Sequence, residues 1–107
     1  RWRRLTFHAL ERVQPDLVHT NTIVGLSTAV WEACHLAGVP VLVINALWYG
    51  NPHPTHFNVE EALEAARRLQ AGTTYLTHLT HRVDHADLES RLPAGVKPAW
   101  DGLTIEI

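Results

Sequence analysis

This 107-residue chain has no methionine, a single cysteine, and no apolar run near the roughly 18 residues that a membrane-spanning helix requires. Each absence narrows the reading. With Cys34 alone, no intrachain disulfide can form, and a reducing, cytoplasmic setting is expected. No positively charged segment followed by an apolar stretch opens the chain, so no signal peptide is expected. Without methionine even at position 1, the sequence reads as an excerpt from something longer. Basic residues form no long stripe: Arg1-Trp2-Arg3-Arg4 is the only knot, the net charge is −2, and neither nucleic acid nor an anionic membrane is expected as partner. Also missing are G-x-G-x-x-G, G-x-S-x-G and H-x-H-x-D-H, which removes simple dinucleotide-binding, serine-hydrolase and self-sufficient metal-hydrolase readings.

The length suits one domain with one modest core. Trp2, Leu5, Ala9 and Val13 recur at helical spacing before Gln14-Pro15-Asp16 breaks the pattern. Leu17-Val18-His19 then reads as a short strand. Asn21-Thr22 lead into a second helix, with Leu26, Ala29, Val30, Ala33 and Ala37 on one face and Gly38 as its stop. Val39 to Ile44 is an unbroken apolar run rich in β-branched residues, as expected of a strand in a parallel sheet. Asn58 and Glu61 have the spacing of a capping box for a helix whose Val59, Leu63, Ala66 and Leu69 face inward and which Gly72 ends. Thr74 to Thr77 is the next strand, and Asp84 and Asp87 suit the first turn of a helix through Leu92. Asp101-Gly102, flanked by Lys97–Trp100 and Leu103–Ile107, is a strong hairpin signal. The expected fold is a three-layer α/β domain over residues 1–107, with a mostly parallel sheet and a C-terminal β-hairpin.

Histidine supplies the chemistry. Five of the eight fall in two short stretches, Pro52–Phe57 and Tyr75–His85. Imidazole is both the commonest ligand for zinc-like metals and the usual proton carrier near neutral pH. His78 ends a strand, a rigid place for a ligand. His53 and His56 flank Pro54-Thr55 on a segment that two prolines keep out of helix, just beyond a buried strand. His81 and His85 share a helix face only if the helix starts before Asp84, so capping or support of a neighbouring ligand suits His81 and Asp84 better. A catalytic zinc needs about three protein ligands. One or two positions here qualify. Cys34 reads as a small core residue, and Trp2, Trp31, Trp48 and Trp100 as core or rim packing.

From about Ile44 to Ile107, the segments NALWYGNPHPTHFNVEEALEAARRL, YLTHLTHRVDHADLESRLP and AWDGLTIEI resemble, in order and spacing, the C-terminal end of metallo-β-lactamase-fold hydrolases. The phosphoribosyl cyclic phosphodiesterase-like subgroup is the most similar. The resemblance implies that His78 is the last ligand of a two-metal centre, zinc or manganese. It also implies that His56 is a catalytic and substrate-binding residue near the phosphate or leaving group, with His53 beside it. The substrate would be a small phosphodiester. Residues 13–43, by contrast, resemble part of the N-terminal domain of GT-B glycosyltransferases, in the pattern P-D-L-V-H-x-N, a helix, then G-V-P-V. Together the two resemblances imply a chimera joined near Val41–Asn45.

The function expected is thus the C-terminal part of a metal-dependent hydrolase of phosphodiesterase type, inactive as this isolated chain because most metal ligands would lie upstream. Two alternatives stay open: a non-catalytic α/β interaction domain, and a glycosyltransferase remnant that would bind an acceptor sugar through Asn21 or Gly25. Self-association into a homo-oligomer is open as well.

Overall fold

Helix and strand alternate along the chain, as the hydrophobic periodicity requires, in a computed structural model that describes residues 2–20 and 29–106. Helix α1 (Trp2–Val13) leads to β1 (Leu17–Thr20), α2 (Ala29–Ala37), β2 (Val41–Asn45), α3 (Val59–Leu69), β3 (Thr73–Thr77), α4 (His85–Arg91) and β4 (Val96–Pro98). Asn21, Thr22, Gly25 and Leu26, assigned from sequence to a helix start and a sugar site, lie outside the described residues. No described helix is long and apolar enough to cross a membrane.

Local chemistry explains where the helices stop and start. Gln14 ends α1 in a left-handed conformation (φ 50°), its N–H donating to the Leu10 carbonyl at 2.7 Å, and Pro15 prevents continuation. The inward residue described on α1 is Leu10, whereas Ala9 is exposed and Val13 is 72% exposed, so these two members of the expected stripe do not face the core. Helix α2 closes in a Schellman motif, with Gly38 (φ 65°) donating to His35 and Val39 to Cys34. At α3 the capping box is complete: Glu61 N–H donates to Asn58 Oδ1 (2.8 Å), and Asn58 N–H to Glu61 Oε1 (3.1 Å). That helix is ended by Gln70 in the left-handed region (φ 51°), two residues before the expected Gly72. Gly72 serves a different purpose. A Cβ there would stand 2.9 Å from the Pro40 carbonyl oxygen, which already accepts from Thr73 N–H at 3.0 Å. Asp84 caps α4 by accepting from Asp87 N–H at 2.8 Å.

The four strands among the described residues are all parallel, in the order β1-β2-β3-β4. With consecutive strands adjacent and right-handed crossovers, every connecting helix falls on the same face. The core agrees: Leu42, Ile44 and Leu76 meet Cys34 of α2, Val59, Ala62, Ala65 and Leu69 of α3 and Leu88 of α4, with Leu10 packed against them. The opposite face carries the register row His19, Val43, Tyr75 and Lys97, of which His19 and Lys97 are exposed and the other two half-buried. The α/β class and the parallel sheet match the sequence expectation; the described helices fill one of the two flanking layers. Asp101-Gly102 does form a turn, with Leu103 N–H donating to the Trp100 carbonyl at 3.1 Å. Residues 103–106 nevertheless form no strand, and β4 pairs parallel with β3, so the described residues contain a turn where a hairpin was expected. Once Lys97 and its neighbours are committed to the edge of a parallel sheet, turn chemistry alone does not create an antiparallel partner.

Candidate functional site

Parallel sheets present their functional loops at the carboxyl ends of the strands, and here that end gathers the histidines. Strand β2 ends at Asn45, β3 ends beside it at Thr77, and His78 follows at once. The segment between Ala46 and Asn58 has no helix or strand, yet hydrogen bonds hold it throughout. Ala46 N–H donates to Thr77 O, Leu47 N–H to Phe57 O and Val59 N–H to Trp48 O, each at 2.9 Å. Thr80 returns to Leu47 O through both its N–H and its hydroxyl. Asn58 donates from Nδ2 to the Gly50 carbonyl at 2.7 Å, so the residue that caps α3 also closes the loop.

Asn45 is the buried pin of this arrangement. Fully buried, it accepts Phe57 N–H on Oδ1 at 2.7 Å, while its Nδ2 has no hydrogen-bond partner. The bond draws the Pro52–Phe57 segment over the ends of β2 and β3. A polar residue closing the run Val41-Leu42-Val43-Ile44 was the signal available in the sequence, but its partner twelve residues away was not.

His78 supplies the other half. It adopts φ 59°, a conformation in which the Cβ of a non-glycine residue is crowded. Such strain persists where surrounding structure imposes it, commonly at functional sites. The result is an array of rings: His78 stands edge-on to His56 with centroids 4.8 Å apart, His56 to His53 at 5.3 Å, and His53 to Trp48 at 5.8 Å. Thr55 lies between two of them, its hydroxyl 2.8 Å from His56 Nδ1 and 3.3 Å from His53 Nδ1, while its N–H donates to His53 Nδ1 at 3.2 Å. Because His53 Nδ1 accepts that N–H, this nitrogen is unprotonated. An arrangement in which His56 Nδ1–H donates to the hydroxyl, and the hydroxyl to His53, leaves a lone pair on His56 Nε2. Partial burial, then His78 and His53, hold the His56 pKa below the ordinary histidine value, which keeps the ring neutral and able to accept a proton near neutral pH.

Of the residues singled out in the sequence, the fold brings His53, His56 and His78 together. His81 and Asp84 are exposed; Asp84 caps α4, and neither appears in the ring array. His85 stands edge-on to Trp100 at 6.1 Å instead. Thr55 and the cation–π pair of Arg82 over Trp48 (4.9 Å) were not anticipated. No group of three His, Cys, Asp or Glu side chains among the described residues is placed to hold a metal ion, so the array does not make a complete metal site by itself. A cleft of about 430 Å³ is at the opposite end of the sheet beside Gln14, Pro15 and Pro40, away from this chemistry.

No protein-family profile matches the chain, and no curated protein does. A solved structure does. The chain is similar to one described as the crystal structure of a new diphosphatase from the PhnP family, with a TM-score of 0.77 and 32% identity. The match covers 86% of this chain and 35% of that one, so the chain spans about a third of the diphosphatase. This likeness supports the metallo-β-lactamase-fold hydrolase resemblance. A match over 86% of the chain must also run into the residues before Val41, across the junction inferred from sequence. The glycosyltransferase resemblance finds no support in any comparison.

Proposed function

We propose that this chain is the C-terminal part of a metal-dependent hydrolase that cleaves phosphorus esters, of phosphodiesterase type. The observation that carries the reading is the strained His78 turned against His56 at the carboxyl end of the sheet. The similarity to a diphosphatase is consistent with it. In this reading His78 contributes one ligand to a zinc or manganese centre whose other ligands come from outside the described residues. His56, oriented by Thr55, faces the phosphate or leaving oxygen and donates or accepts its proton, and His53 steadies Thr55 from the far side. His81 and Asp84 act at most by supporting the segment after His78. With a lone ligand the isolated chain does not hydrolyse diesters, and its substrate in an intact protein is a small phosphodiester.

Trace Mn²⁺ tests the ligand assignment, since paramagnetic broadening reports even weak binding. The imidazole signals of His78 and His56 should broaden before those of the exposed His8 and His35, and His78→Ala should abolish the preference. Equal broadening of all exposed histidines would sink the proposal. Turnover of bis(p-nitrophenyl) phosphate by the purified chain, abolished by chelation and by His78→Ala, would overturn the claim that it is inactive alone.

A further inference from the structure

Resting on the phosphorus-ester reading above, we propose that the cavity between His78 and Trp100 is a base-binding subsite, which takes the planar ring of a nucleotide whose phosphate lies toward His56 and His78. The cavity measures about 260 Å³ and is lined by Thr77, His78, Leu79, Ala99, Trp100 and Asp101. Its size suits one ring system with its sugar, since sites for larger ligands run from roughly 300 to 1,000 Å³.

Trp100 is 53% exposed, although burying an indole is among the largest apolar gains a small domain can make. Its backbone is also held in place. Ala99 N–H donates to the Leu76 carbonyl at 2.8 Å, Leu103 N–H closes the following turn onto the Trp100 carbonyl at 3.1 Å, and His85 meets the indole edge-on at 84°. An exposed indole on a held backbone offers a face for stacking, and stacking of a base on such a face is tolerant of base identity.

The cavity lining is mixed in chemistry. His78 belongs to the histidine array, whereas Asp101 adds an exposed carboxylate to the same lining. A phosphate beside Asp101 would meet like charge, so the anionic part of the ligand belongs beside His78. The carboxylate accepts hydrogen bonds only, which matches the exocyclic and ring N–H donors of a base. A ribose alone would offer the indole only its C–H edge and would leave most of that face uncovered.

Binding to the full chain, followed by ¹H–¹⁵N NMR, tests this. Trp100→Phe identifies the Trp100 indole signal among the four tryptophans. Millimolar adenosine should shift that signal. Trp100→Ala should weaken adenosine and AMP by about tenfold or more, Trp100→Phe should retain most of the affinity, and binding of inorganic phosphate should be unchanged in both variants. The proposal is overturned if adenosine leaves the Trp100 signal unmoved, or if ribose 5-phosphate binds as tightly as AMP and loses as much in Trp100→Ala. If adenosine behaves as expected while phosphate perturbs neither His56 nor His78, the subsite stands and the phosphorus-ester reading falls.

Discussion

Replacing His78 by glycine should stabilise this protein while removing the residue on which its proposed chemistry depends. At φ 59° a Cβ is crowded by the backbone, at a cost of about 1–2 kcal/mol, and histidine is among the residues that meet the lower part of that range. Glycine removes the strain but gives the unfolded chain more freedom, which offsets about 0.4–1 kcal/mol. The His78 side chain is exposed, so little packing is lost with it. Alanine is the control, because it removes the imidazole and retains the Cβ. His78→Gly should therefore exceed His78→Ala in stability by about 0.5–1 kcal/mol, the reverse of the order at an ordinary extended residue. With a urea m-value of about 1–1.5 kcal/mol/M for a domain of this size, the two midpoints should separate by roughly 0.5 M. If alanine matches or exceeds glycine, His78 is not strained in solution, and the argument that the fold imposes a functional conformation there is refuted.

Other perturbations reach the same site and its foundations. Asn45→Ala should cost about 1–3 kcal/mol, because it leaves Phe57 N–H buried without its acceptor; urea titration gives the loss, and the His56 ring signals should move as the loop loosens. His56 should titrate below its reference value of 6.5 when followed by its ring proton shifts. The sign follows from its lowered folded-state pKa: the unfolded chain takes up the proton first, so this group's contribution to stability is present above pH 6.5 and is lost as the pH falls through and below it. His56→Asn should flatten that part of the pH–stability curve, and an unchanged curve would count against the assignment. Burial pushes the Cys34 thiol up to about 11, so its contribution is complete below the reference value of 9.0 and is lost as the pH rises toward 11. Reaction with a thiol reagent at pH 8 should track global unfolding, and rapid reaction of the native chain would contradict the burial. Gly72→Ala should destabilise by about 1–3 kcal/mol, because its Cβ would meet a Pro40 carbonyl that Thr73 already holds; a thermal midpoint equal to wild type would disprove the close approach.

Much of this protein was legible in one dimension, because the interactions concerned are local. The Asn58–Glu61 capping box, the Asp84 cap, the Gly38 stop and the Pro15 break each depend on residues within a few positions, and each appears as expected. The alternation of apolar strand and amphipathic helix likewise determined the α/β class. Residue type determined the candidate chemistry too: the clustering of His53, His56 and His78 beyond strand ends was visible before any coordinate.

Tertiary structure decided what depends on distant partners. Sequence spacing cannot show that Asn45 reaches Phe57, that Gly72 is needed for the approach of Pro40 rather than as a helix stop, or that Lys97 joins a parallel edge instead of a hairpin. Nor could it show that His78 takes a left-handed conformation, or that its ring turns to His56 while His85 turns to Trp100. The reason is physical. Caps and periodicity are set by energies within one turn or one strand, whereas the site exists only where β2 and β3 end side by side, and that pairing is fixed by a core assembled from the whole chain.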